Sequence, residues 1–362
     1  MSARVVVIRG DGIGPEVVEV ALRVLRDVSN RAGVDLRLEE RLMGGRAIDE
    51  TGTPLPEDTR DACLAADAVL FGALGGPKWD HLRGELRCEQ GLLRLRKALD
   101  VFANVRPVRV HPLLADRTPL RTEVVTGTDM VIVRELTGGA YFGLPRERSG
   151  SGDTETARDS TVYTAAEIER VARVAFELAM ARRRKLTSVD KANVLISSQL
   201  WRDTVTRVGA DYPEVELEHQ LVDSFAMHLV QRPTKLDVVV TENLFGDILS
   251  DEAGVLAGSL GMLPSASLGD GAGLYEPIHG SAPDIAGRGI ANPYGAILSA
   301  ALLLRHSLHR DDLAREVEAA VDRCVSAGVL SHDLGGEHGT AAIGDAVLRA
   351  LSERYQPVGA RS

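Results

Sequence analysis

Three cysteines in 362 residues, Cys63, Cys88 and Cys324, are too few and too scattered for a disulfide framework or a zinc cage, and they fit a reducing compartment. No apolar run reaches the roughly eighteen residues that a membrane-spanning helix needs. The stretch from Arg4 to Ile8 reads as a strand rather than a basic and apolar export signal, so cytoplasm is the expected location. Basic charge is also short: 42 Lys and Arg face 52 Asp and Glu, a formal charge of -10. That balance argues against nucleic acid or an anionic membrane as a partner, since both reward clustered cations. The basic run Arg182-Arg183-Arg184-Lys185 closes a predicted helix, where it complements the helix dipole. There is no internal repeat, low-complexity tract or P-loop. The glycine-rich turn Gly10-Asp11-Gly12-Ile13-Gly14-Pro15-Glu16 is not G-x-G-x-x-G, because Pro15 stands where the third glycine would fall. A bound nucleotide would need another loop.

What is present points to α/β. The length predicts about two domains, and 44% hydrophobic residues suffice for packed cores. Strand and helix signals alternate from the start, beginning with Val5 to Ile8 and a helix whose Val17, Val18, Ala21, Val24, Leu25 and Val28 follow a 3.6 period. Further strands are predicted over 68–73, 129–134, 186–189, 215–221 and 236–241. A long helix is predicted to begin at the capping box Thr164-x-x-Glu167. The last hundred residues read mainly helical, and the polar stretch Ser149 to Ser160 reads as a protruding arm.

Several residues invite chemistry, each beside a plainer alternative. In Asn243-Leu244-Phe245-Gly246-Asp247-Ile248-Leu249-Ser250-Asp251, two carboxylates four residues apart share a helix face and call for a cation, or else Asp247 caps the helix and Asp251 is a solvated acid. Arg96, Arg106 and Arg134, read at element ends, could fork onto the carboxylates of a di-acid, or be ordinary ion-paired arginines. Tyr141 and Lys191 are plausible proton carriers if a cation, such as a protonated lysine beside the tyrosine, lowers the pKa. Otherwise Tyr141 is a half-buried loop aromatic and Lys191 a partner of Asp190. Asp223 is a helix cap first and a ligand second. The loop Glu276 to Gly287, with Asn292 beyond it, surrounds Asp284, an acid able to accept from a ribose 2′-hydroxyl, or forms a long turn.

Read in order, GDGIGPEV, LLRLRK, FANVRPV, VRELTGGAYFG, SVDKANVL, EHQLVDSFAMH, FGDILSDEAG, GMLPSASL and HGSAPDIAGRGIANP resemble the isocitrate/isopropylmalate family of decarboxylating β-hydroxyacid dehydrogenases, from about Arg4 to Leu351. The resemblance implies a two-domain, non-Rossmann fold with a parallel or mixed sheet flanked by helices. A nucleotide-binding domain would span 1–102 and 258–362, and a substrate, metal and dimerisation domain 103–257, with an arm at about 145–163.

It implies NAD-dependent oxidative decarboxylation with one Mg²⁺ or Mn²⁺ held by Asp223, Asp247 and Asp251. Arg96, Arg106 and Arg134 would hold the malate carboxylates, with Leu92 and Leu93 toward the substrate's C3 substituent and Val194 and Asp223 also at the substrate. Lys191 would assist loss of the C2 hydroxyl proton and Tyr141 would protonate the enolate. NAD would meet Gly75, Gly76, Glu89, His279, Gly280, Ser281, Ala282, Asp284, Ile285 and Asn292. Lys191 and Asp223 would reach across a homodimer. Isocitrate-type relatives use a serine and an asparagine where Gly91-Leu92-Leu93 stands, and leucines suit an isopropyl group, so the expected reaction turns (2R,3S)-3-isopropylmalate into 4-methyl-2-oxopentanoate and CO₂, a step of leucine biosynthesis. Asp284-Ile285 stands where NADP-using relatives carry lysine and tyrosine. Two positions depart from the pattern: Arg9 replaces a usual proline, and the arm matches poorly.

Overall fold

The computed structural model describes residues 2–353. Two units emerge, one made of the residues up to Leu99 with those from Ala257 onward, the other of Asp100–Leu256. Along the chain the strands are β1 (Ser2–Gly10), β2 (Asp35–Glu40), β3 (Ala68–Ala73), β4 (Ala103–Arg109), β5 (Asp129–Glu135), β6 (Glu147–Ser149), β7 (Thr156–Arg158), β8 (Lys185–Asp190), β9 (Glu216–Leu221), β10 (Val238–Thr241), β11 (Pro264–Leu268) and β12 (Gly273–Pro277).

In the first unit the order is β2-β1-β3-β12-β11, parallel except for β11 against β12. In the second it is β4-β5-β10-β8-β9, parallel except for β4 against β5. Parallel strands with both faces covered read as continuous apolar runs, which is why Ala-Val-Leu-Phe-Gly-Ala of β3 and Val-Val-Val-Thr of β10 are buried throughout. Helices Gly14–Arg31, Tyr294–His306 and Thr340–Glu353 pack together in the first unit, and Ala165–Met180 packs with Ile196–Gly209 in the second. The capping box at Thr164 and Glu167 is formed on both sides. No helix among the described residues is long and apolar enough to cross a membrane.

Three stretches of strand lie outside those predicted. The last hundred residues are not helical at their start, because β11 and β12 form an antiparallel pair there whose Pro264, Gly273 and Pro277 masked the strand signal. β4 escaped notice because Pro107 and three arginine or asparagine side chains interrupt its apolar run, yet all seven of its residues pair with β5. β2 is an outer strand with four charged residues and no clean alternation. The arm is an exposed hairpin of β6 and β7. The basic run does not close the helix as expected: helix Ala165–Met180 ends before it with no basic residue in its last turn, Lys185 opens β8, and Arg182 pairs with Asp129 and the buried Asp237, both at 2.8 Å. The three thiols are buried, and burial pushes Cys63 up to about 12 and Cys88 to about 11, which leaves both unreactive.

Candidate active site

In the second unit β5, β10 and β8 run parallel, so their carboxyl ends arrive side by side: Arg134 and Val189 both stand abreast of Thr241. Open α/β sheets bind ligands beyond such ends. From β10 the chain turns directly into helix Asn243–Gly254, whose cap is Glu242, accepting from the amides of Leu244 and Phe245. The helix therefore starts four residues before Asp247. Asp247 is not its cap, and Asp247 and Asp251 lie one turn apart on one face.

Both acids face arginines. Arg134 Nη1 reaches the Asp247 carboxylate, and Arg106 Nη1 lies 3.4 Å from Asp251 Oδ1. Arg106 is in mid-strand rather than at an element end, and it and Arg134 are buried. Gly246 makes this possible: a Cβ there would lie 2.6 Å from Arg134 Cγ, so only glycine lets the arginine stem pass beneath the helix. Tyr141, in the turn Gly139–Tyr141, donates to Asp247 Oδ2 at 2.6 Å and has the Arg134 guanidinium 5.5 Å from its ring centre. Burial, then the hydrogen bond to Asp247, raises the Tyr141 pKa above its ordinary value. Within this chain the phenol's neighbour is a carboxylate rather than a lysine, and the phenol stays protonated.

Lys191 follows β8 directly. It is not the partner of Asp190, which is buried and accepts from the Ala192 amide and from Arg202 at 2.9 Å. Lys191 instead donates to Asp223 Oδ1 at 2.5 Å and holds that carboxyl below the usual aspartate range. Asp223 lies in the first turn of helix Val222–Gln231, two residues past Leu221, which occupies the cap position. No three His, Cys, Asp or Glu side chains among the described residues are gathered closely enough to hold a metal ion, so Asp223 does not join Asp247 and Asp251 within one chain. Val194, three residues beyond Lys191, is 65% exposed.

In the first unit helix Cys88–Ala98 carries Glu89, Leu92, Leu93 and Arg96. Arg96 pairs with Glu276 at 2.8 Å, both buried, while Leu92 and Leu93 are half-buried and Glu89 lies 3.3 Å from Arg87. Gly75 donates its amide to Asp11, and Gly76 sits beside the Trp79 ring. The turn that fails the dinucleotide pattern has another task, which sequence reasoning missed. Ile13 donates its amide to the Ser281 carbonyl at 2.8 Å, and Glu16 accepts from the Gly287 amide at 3.1 Å. Gly12, at φ +59, approaches so closely that a Cβ would fall 2.0 Å from that same Ser281 oxygen. The turn thus ties down the loop bearing His279, Gly280, Ser281, Ala282, Asp284 and Ile285. Asp284 is exposed at its rim. His279 is kept neutral by burial, and its Nε2 is buried without a partner. Asn292 is buried, donating to Asp333 and accepting from the Tyr294 amide.

An α/β protein is thereby defined whose charged centre, acids facing arginine forks beyond the ends of parallel strands, suits an anionic small molecule and a hard cation. The chain belongs to the isocitrate/isopropylmalate dehydrogenase family, whose model matches residues 4–347. It is 58% identical over 353 residues to the 3-isopropylmalate dehydrogenase of Anaeromyxobacter dehalogenans, covering 97% of this chain and 100% of that protein. The 3-isopropylmalate dehydrogenase of Bacillus subtilis is 54% identical, covering 97% of this chain and 98% of its own. Among solved structures, the isocitrate dehydrogenase from Methylococcus capsulatus superposes with a TM-score of 0.86 at 35% identity, covering 96% and 99% of the two chains.

Proposed function

We propose that the protein is an NAD-dependent 3-isopropylmalate dehydrogenase of leucine biosynthesis, working in the cytoplasm as a homodimer with composite active sites. The observation that carries this is the pairing of Asp247 and Asp251 with the buried forks of Arg134 and Arg106, in a chain whose substrate-side helix offers Leu92 and Leu93 rather than polar groups. Two hard carboxylate oxygens one turn apart fit Mg²⁺ or Mn²⁺, completed by Asp223 of a second copy. The unpartnered His279 Nε2 and the exposed Asp284 fit a dinucleotide: the imidazole offers a buried polar atom, and the carboxylate accepts from ribose hydroxyls while repelling a 2′-phosphate. Gly75, Gly76, Glu89, Gly280, Ser281, Ala282, Ile285 and Asn292 complete the cofactor surface.

When bound, NAD⁺ would supply the hydride acceptor and the divalent ion would supply Lewis acidity. The chain's own groups do the rest. Arg96, Arg106 and Arg134 hold and orient the carboxylates. Lys191, through a water, assists loss of the C2 hydroxyl proton. After CO₂ leaves C3, Tyr141 returns a proton to that carbon. The phenol enters the step as O–H, placed by its hydrogen bond to Asp247. Leu92 and Leu93 suit the isopropyl group, and Val194 is assigned to substrate binding.

The dimer reading is supported by large apolar side chains left exposed in the second unit, among them Val194, Ile196, Met227, Leu244, Ile248 and Val255. It is consistent also with the three aspartates forming no metal-holding group among the described residues of one chain. NADH formation, with metal present, should be measured on 3-isopropylmalate, isocitrate, D-malate and tartrate. Burying isocitrate's third carboxylate against leucine should cost several kcal/mol, a kcat/KM ratio on the order of a thousand or more. Comparable turnover of isocitrate overturns the substrate. For the composite site, inactive Arg106→Ala and Lys191→Ala proteins refolded together should recover about a quarter of wild-type activity through mixed dimers. Confirmed heterodimers without recovery would place both residues in one subunit's site.

A further inference from the structure

Arg106 and Arg134 share a device that sequence reasoning did not see. β4 and β5 pair so that Asn104 stands opposite Arg134, and Asn104 and Arg106, two apart on one strand, point to the same face. Arg106 donates from Nε to Asn104 Oδ1 at 2.6 Å and from Nη1 to Ser250 Oγ at 2.6 Å. Arg134 donates to Asn243 Oδ1 from Nε at 3.0 Å and from Nη2 at 2.7 Å. The Asn243 amide is itself oriented, because its Nδ2 donates to the Gly138 carbonyl at 3.1 Å. Its backbone N–H donates to the Tyr163 hydroxyl, which donates in turn to Glu242. Asn104 and Asn243 are 0% and 1% exposed.

In both cases the back edge of a buried guanidinium rests on a neutral amide oxygen, while Nη1 turns toward an acid of the helix. The chemistry of that acceptor matters. A carboxylate in its place would hold the fork equally well but cancel its charge, and an alkyl group would leave buried donors unpaired. An amide fixes the geometry and brings no charge of its own to the guanidinium, whose Nη1 already faces an aspartate.

We propose that Asn104 and Asn243 are positioning residues for substrate binding: they clamp Arg106 and Arg134 with neutral acceptors that fix each guanidinium without adding charge to the arginine–aspartate pairs in front. The inference rests on the reading that these arginines hold substrate carboxylates. It is tested on the full-length, metal-loaded enzyme by steady-state kinetics of Asn104→Asp and Asn243→Asp, with Asn104→Leu and Asn243→Leu as shape-matched variants without an acceptor. The KM for 3-isopropylmalate should rise about ten-fold or more in each, while kcat and the KM for NAD⁺ stay within about three-fold. Where an aspartate variant does not fold, the serine variant, a neutral acceptor of shorter reach, should raise the same KM about three-fold or more. Parallel loss of kcat, both KM values and thermal stability would mark a merely structural role and overturn the proposal. Arg106→Lys and Arg134→Lys separate the two levels. If they leave the substrate KM unchanged, the assignment of the arginines fails; if they raise it and the asparagine variants do not, only the positioning role fails.

Discussion

The two units hold their functional groups by opposite means. In the second, side chains hold one another: Arg134 against Asp247, Tyr141 against Asp247, Arg106 against Asp251, Lys191 against Asp223. In the first, the Arg96–Glu276 pair apart, it is the backbone of the loop that is held: the Ile13 amide on the Ser281 carbonyl, the Gly287 amide on the Glu16 carboxylate, and Gly12 against Ser281 at a distance no side chain tolerates. Charged groups that satisfy each other can be re-partnered by a bound ion or a charged substrate without moving the chain. A loop set by glycine contacts has one geometry, because a backbone approach has no alternative rotamer. Substitutions in the second unit should therefore damage chemistry and spare stability, and substitutions in the first should do the reverse.

The largest effect expected is at Lys191. Lys191→Met should lower the NADH-forming rate about a thousand-fold or more, with little change in melting temperature because its partner Asp223 is largely exposed. Tyr141→Phe should slow release of the ketoacid more than the NADH burst. Equal loss of both signals in both variants would remove the division of roles and with it half of the contrast.

Gly12→Ala tests the other side. The new Cβ meets the Ser281 oxygen and the residue must keep φ +59, so a stability loss of about 2–4 kcal/mol is expected, with a raised KM for NAD⁺ and a nearly normal kcat at saturation. A stable Gly12→Ala enzyme with normal NAD⁺ affinity would show that the turn does not set the loop.

A pH effect of similar size belongs to the first unit. Burial, helped by Arg305, pushes the His306 pKa down to about 4 from the ordinary 6.5. The folded state binds fewer protons than the unfolded one between those values, so the stability contributed is present above pH 6.5 and is lost as pH falls through about 4. The loss should approach about 3 kcal/mol. His219 and His279, lowered by burial, act in the same direction. Urea titrations at pH 7 and pH 4.5 should show a smaller difference for His306→Gln than for wild type, and an unchanged difference would remove His306 as the cause.

The smallest effect sharpens the contrast, because it concerns a side chain on the backbone-held loop. Asp284→Lys with Ile285→Tyr should narrow the preference for NAD⁺ over NADP⁺ by about 1–3 kcal/mol, read as the ratio of the two kcat/KM values, without altering stability. Equal use of both cofactors by the native protein would show the role given to Asp284 to be wrong.

Much of this was legible along the chain because its causes are local. A 3.6 period specifies a helix at Val17 to Val28, a capping box starts one at Thr164, and an apolar run makes a buried strand of Ala68 to Ala73 whatever surrounds them. The identities of Tyr141, Lys191, the three arginines and the acids were visible as motifs. Their partners were not, because partnership is a matter of distance across the fold. Nothing near Asp190 in sequence says that Arg202 will take it and leave Lys191 for Asp223. Nothing near β4 says that Asn104 and Asn243, 139 positions apart by subtraction, will brace two neighbouring arginines. Nor does the chain direction reveal whether Tyr141 will meet a cation or a carboxylate, which decides whether its proton is loosened or held. Residue types, and the chemistry they permit, come from the sequence, because covalent structure carries them. Which charge faces which, and hence the protonation and orientation of each group, came only from the tertiary structure, because electrostatic energies follow separation and burial in space, not position along the chain.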